Sequence, residues 1–250
     1  DMTTPLTPKH AELLQALSKR RCEALRLWRP MPQQEPVLRS KAREVVILGG
    51  NQAGKTGLAA AMFAAFCTAR PIYDCNGNPI QLRRPDQMNR SVVAWYVGFG
   101  ERHLGQTQNR CLTRAGLFQM IQDEQTGLWR TFNPRDPKDI ARANLAKPAP
   151  PLIPNKYVKP KGISWVNRAA RVIERMSLHD PETGKDLADI YAFTSSGEVK
   201  QGDQVDLIWV DEQIQFSSHY PEWQARLINR DGRLIWSTLP YMDNSALIDV

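Results

Sequence analysis

The residues best suited to chemistry in this chain stand in one run, Gly49-Gly50-Asn51-Gln52-Ala53-Gly54-Lys55-Thr56, which fits the pattern G-x-x-x-x-G-K-[ST]. The apolar stretch Val45-Val46-Ile47-Leu48 precedes it and the Ala-rich stretch Gly57–Phe66 follows. A strand before and a helix after are the context that separates a phosphate-binding loop from a chance match. Glycines in such a loop let backbone N–H groups turn inward around phosphates, and the helix N-terminus adds the positive end of its dipole. The Lys55 ammonium would then reach the β- and γ-phosphates, and the Thr56 hydroxyl would ligate Mg2+. The chemistry implied is the binding of a nucleoside triphosphate.

Such a loop does not by itself imply hydrolysis. The decisive partner is Leu207-Ile208-Trp209-Val210-Asp211-Glu212, four apolar residues running into two carboxylates. A buried strand would deliver Asp211 to its carboxyl end, where it can hold Mg2+ directly or through water. Glu212 leaves the strand one residue later and can polarise a water aimed at the γ-phosphate. Further on, Leu234-Ile235-Trp236 reads as another strand and ends in Ser237-Thr238-Leu239-Pro240. Small hydroxyl groups at that tip, Ser237 and Thr238, could sense the γ-phosphate; as loop residues they equally suit a plain strand-to-loop stop.

Several elements must position these residues. Thr7-Pro8 looks like an N-cap followed by Pro at the first helical position, and Leu14, Leu17, Leu25 and Trp28 recur at helical spacing. An amphipathic helix over 8–28 is therefore expected, stopped by Pro30 and Pro32. Strands are expected over 44–49, 91–97, 170–178, 188–194, 206–210 and 232–237, with helices over 55–68, 103–114 and 219–229. The stretch 133–162 is rich in Pro and Lys, too Pro-laden for a helix or central strand, and is expected to be an excursion loop. The alternation predicts an α/β fold, a mostly parallel central sheet flanked by helices, with its ligand at the carboxyl ends of the strands. The expected division is an N-terminal segment, 1–40, and a P-loop core, 41–250.

Composition narrows the class. With 250 residues and 42% hydrophobic content, the chain can bury one large core or two modest ones. No apolar run approaches the ~18 residues of a membrane span, and the start shows no signal-peptide pattern. Four scattered cysteines without a C-x-x-C pair read as reduced thiols in a cytoplasmic protein. His10, His103, His179 and His219 share no ligand spacing, which argues against a zinc site. The net charge of +7 is compatible with a polyanionic partner and equally with ordinary surface charge.

With these pieces placed, the chain resembles the ATPase domain of the large terminase subunit, the motor that packs DNA into tailed-phage and herpesvirus capsids. Trp28-Arg29-Pro30-Met31-Pro32-Gln33-Gln34 resembles that family's adenine-binding motif, with Gln34 as the adenine reader. The phosphate loop, Asp211-Glu212 and, as the coupling motif, Ser237-Thr238 follow in the family's order. The resemblance implies an ASCE, RecA-like P-loop NTPase fold, ATP and Mg2+ as cofactors, and coupling of hydrolysis to translocation of double-stranded DNA. It also implies a homo-oligomeric ring at the portal of a procapsid, a small terminase subunit as partner, and action in the infected cell's cytoplasm without becoming part of the virion.

Two departures from the family stand out. Many terminases carry Arg inside the loop where this chain has Asn51, and others carry Arg where it has Gln201, with Lys200 beside it. An arginine finger is worth about 10³–10⁵ in rate, and Lys200, Arg102, Arg226 and Arg230 are the candidates for that role. The family's nuclease domain is expected to be absent, since Asp243 and Asp249 are too few for a two-metal site. Two other readings remain at this level: a helicase-type translocase, and a nucleotide-gated assembly module with little turnover. Lys156–Lys161 is the candidate stretch for DNA contact.

Overall fold

The computed structural model describes residues 9, 12, 23–50, 53–197 and 204–239. Seven strands form the central sheet: β1 (Glu44–Leu48), β2 (Val92–Gly98), β3 (Val158–Asn167), β4 (Val172–His179), β5 (Asp186–Thr194), β6 (Leu207–Asp211) and β7 (Arg233–Thr238). Their order across the sheet is β1-β7-β6-β2-β5-β4-β3. The five strands from β1 to β5 in that order run parallel, and β4 and β3 extend the sheet antiparallel. The fold is α/β with a largely parallel sheet, consistent with a RecA-like P-loop NTPase architecture.

Helix α1 (Lys55–Thr68) covers one face of this sheet. It is Ala-rich and buried on nearly every side, Ala59 through Ala65 being fully inaccessible. Small side chains let it lie close to the strands, and Phe63 fills the gap against Tyr96 and Trp209, at ring-centroid distances of 6.0 and 5.7 Å. A second helix, α2 (His219–Ile228), packs Tyr220, Trp223 and Leu227 on the opposite face, against Trp95, Ile208 and Trp236. The result is three layers with apolar strands buried on both sides. Among the described residues, no helix is long and apolar enough to cross a membrane.

Two expectations need correction. Lys9, Glu12 and Ala24–Leu27 are helical, but Glu23 is extended (φ −120°, ψ 95°), so no unbroken helix runs over 8–28. Hydrophobic spacing does not reveal a local break; Leu14 and Leu17 lie outside the described residues. The stretch 133–162 is not a plain loop either. Pro137–Ala141 is a short helix with Pro at its first position and an Asp136 cap, and from Val158 the chain becomes β3, the edge strand of the main sheet. Proline at a helix start or on an edge strand loses no required hydrogen bond.

Candidate active site

Register brings the predicted chemistry to one edge. Leu48 pairs with Thr238, Asp211 lies between Ser237 and Gly98, and Thr194 lies beside Gly98. These are the carboxyl ends of the five parallel strands, where open α/β sheets collect ligands.

The phosphate loop leaves β1 and closes on α1. Of its residues, Gly49, Gly50, Ala53, Gly54, Lys55 and Thr56 are described; Asn51 and Gln52 lie outside the described residues. Gly54 turns the chain in the left-handed region (φ +75°), and a Cβ there would sit 3.0 Å from Met31 Cε and 3.1 Å from Gln34 Nε2. Glycine is therefore favoured by conformation, and any side chain there would also have to displace the ends of Met31 and Gln34. Lys55 Nζ donates to the carbonyls of Gly49 (2.8 Å) and Gly50 (2.9 Å), and the residue is only 8% exposed. That ammonium has no carboxylate partner among the described residues, so a phosphate entering here would supply the missing countercharge.

Across the edge, the Thr56 hydroxyl donates to Asp211, with Oδ1 at 3.1 Å and Oδ2 at 3.2 Å. Asp211 is 1% exposed and also receives the Ser237 hydroxyl and His103 Nε2, the latter at 2.8 Å. A hydroxyl and a carboxylate oxygen converging here are hard ligands of the kind Mg2+ takes from protein before filling its shell with phosphate and water. The residues fit that ion: a buried carboxylate meets two hydroxyls and an imidazole and, among the described residues, no Lys or Arg. Bound there, Mg2+ would neutralise charge on the phosphates and orient them.

Glu212 leaves β6 at φ +68°, a left-handed conformation unusual for a residue with a Cβ. Its backbone is held from β7 on both sides: its N–H donates to Ser237 O (2.7 Å), and its carbonyl accepts from Trp236 Nε1 (2.8 Å). This clamp holds the backbone of Glu212 in a conformation that ends the strand's pleat. Strain of about 1–2 kcal/mol, held by surrounding structure, is typical of functional positions.

Gln34 lies against the loop. Its Nε2 approaches the carbonyls of Ala53 (3.5 Å) and Gly54 (3.3 Å), while its Oε1 accepts from Met31 N–H (3.0 Å). Thr238 is fully buried at the tip of β7 beside Ser237. The finger candidates are scattered. Arg102 is on the loop edge, exposed and bonded to Gln106 Oε1 at 3.1 Å. Arg230 instead meets Asp206 (2.9 Å) and Arg226 meets Glu222 (3.6 Å), near the amino end of β6 and away from the loop. Lys200 and Gln201 lie outside the described residues, as do Pro240, Asp243 and Asp249. Lys156 and Lys159 pair with Glu23 (3.4 Å) and Asp186 (2.7 Å), so two cations of the Lys156–Lys161 stretch serve the fold.

His103 is the residue that sequence reasoning missed. It sits five residues beyond the end of β2, the strand next to β6, and only that adjacency makes it a neighbour of Asp211. Replacing it with Ala should raise the Mg2+ concentration for half-maximal hydrolysis about tenfold, the usual effect of losing an outer partner of a metal ligand. Nucleotide affinity without metal should stay within about twofold by the same reasoning. An unchanged Mg2+ requirement in that titration would remove His103 from the site.

The fold and this edge together are consistent with a P-loop NTPase architecture. No family model matches the chain, and no curated protein matches it. Among solved structures, a mutant form of the large terminase ATPase domain of Thermus phage P74-26 aligns over 97% of this chain and 73% of its own, at 15% identity and a TM-score of 0.45.

Proposed function

We propose that this chain is the ATP-hydrolysing motor domain of a viral DNA-packaging machine. The observation that carries hydrolysis is the meeting of Thr56 and Asp211 within 3.2 Å at the sheet's carboxyl edge, with Glu212 the next residue, in a left-handed turn. In this reading, Lys55 and the loop N–H groups hold the β- and γ-phosphates, and Thr56 and Asp211 hold Mg2+. Glu212 takes the proton of the attacking water, and Ser237, bonded to Asp211, passes the loss of phosphate into β7. Gln34 reads adenine. DNA translocation, a ring at the procapsid portal and a small terminase subunit come from the motif resemblance.

The test is steady-state ATP hydrolysis against protein concentration, with and without double-stranded DNA. Turnover rising faster than linearly means that a neighbouring copy completes the site, as the ring reading requires. Strictly linear turnover counts against a finger supplied in trans and makes Lys200 and Arg102 the residues to replace. ATP binding without turnover under every condition favours the nucleotide-gated module.

A further inference from the structure

A concavity of about 300 Å3 is walled by Gly105, Gln106, Arg110, Arg114, Ala170 and Arg171, and among the described residues no acidic side chain lines it. Among the described residues, none of these three arginines forms an ion pair. Three exposed arginines line this one hollow, and the like charge they bring to it favours an anion there.

The surrounding backbone is built to hold this arrangement. Leu104–Gln108 is a π-helical turn, a form that recurs at functional sites. Within it, Gly105 lets the turn before β4 approach so closely that a Cβ would lie 2.2 Å from Ala170 O. Buried Asn109 then locks the turn, its Nδ2 donating to Arg171 O at 2.9 Å. Arg171 itself is held at φ +56°, where a side-chain-bearing residue is strained. A packing role for the turn would be met without strain by glycine; what Arg171 adds at this position is a third cation lining the hollow that Arg110 and Arg114 also line.

We propose that Arg110, Arg114 and Arg171 form a phosphate-binding site separate from the loop at Lys55. Planar guanidinium forks match the oxygen geometry of a phosphate group, which makes a phosphate monoester or diester the fitting ligand class. The source is either a small phosphorylated compound or a nucleic-acid backbone, and the inference is independent of whether the chain hydrolyses ATP.

Two measurements on the full chain, without nucleotide, test it. In the first, inorganic phosphate is titrated while the arginine Nε–H resonances are followed by NMR. Saturable shifts at Arg110, Arg114 and Arg171 are expected, and Arg171→Gly should weaken them; glycine suits φ +56°, so an unchanged melting temperature separates this loss from unfolding. In the second, binding of a 30-bp duplex is measured over a range of salt concentrations. If the source is a backbone, Arg110→Gln/Arg114→Gln/Arg171→Gln should weaken binding at least tenfold and reduce the salt slope by about 2.7, at roughly 0.9 per phosphate contact. The charge-matched control Lys41→Gln/Arg135→Gln/Lys138→Gln should change it less than about threefold on the same reasoning. Phosphate shifts with unchanged duplex affinity identify a small phosphorylated ligand, and loss of duplex affinity identifies a backbone. No saturable shift, together with duplex binding no weaker than the control's, overturns the proposal.

Discussion

Glu212→Gln should cut ATP turnover by about a thousandfold while ATP affinity stays within about threefold, the range for removing a general base that makes no ground-state contact. The substitution is isosteric, and the clamp on Glu212 uses only backbone atoms, from Ser237 O and Trp236 Nε1. The left-handed turn therefore persists with an amide in place of the carboxylate, and neither the loop nor Asp211 loses a partner. Phosphate release measured beside nucleotide binding separates the two effects. Turnover within tenfold of the parent would remove Glu212 from the chemistry and assign activation of the attacking water to another group.

Asp206→Asn should have the largest effect on stability, about 3 kcal/mol, the lower end for breaking a buried ion pair because both arginine partners keep some solvent contact. Asp206 is fully buried just before β6 and takes hydrogen bonds from Arg90 (3.0 Å), Arg230 (2.9 Å) and Val93 N–H (2.9 Å). Burial alone pushes its pKa up; the bonds from Arg90, Val93 and Arg230 more than reverse this and hold the carboxyl below its ordinary value. A depressed folded pKa means stability that is fully present above about pH 4, the unfolded value, and lost as the pH falls through the lower folded value. The Asn variant should accordingly melt about 6–12 °C lower at neutral pH, with a flatter loss of stability below pH 4. A melting series from pH 7 to pH 2.5 checks both; parallel curves for the two proteins would show that Asp206 does not carry the acid limb.

What the sequence reveals depends on whether a feature is local. The loop, its strand and its helix are contiguous, so residues 44–68 were readable from order alone, and β6 announced itself by four apolar residues ending in Asp211. Non-local features were hidden. His103 meets Asp211 only because β2 lies beside β6, and Ser237 meets it because β7 lies between β1 and β6. The edge position of β3 likewise explains how Pro160 sits in a strand that composition alone assigns to a loop. The break at Glu23 left no mark on the hydrophobic spacing around it.

The bond between Trp209 Nε1 and Ser237 Oγ (3.0 Å) gives the chain an internal chromophore wired to its own chemistry. Ser237 also binds Asp211, and the same indole rests against Phe63 of α1. Trp209 emission is thus expected to respond to both halves of the site, and since the chain holds seven tryptophans, comparison with Trp209→Phe isolates that response without attaching a label.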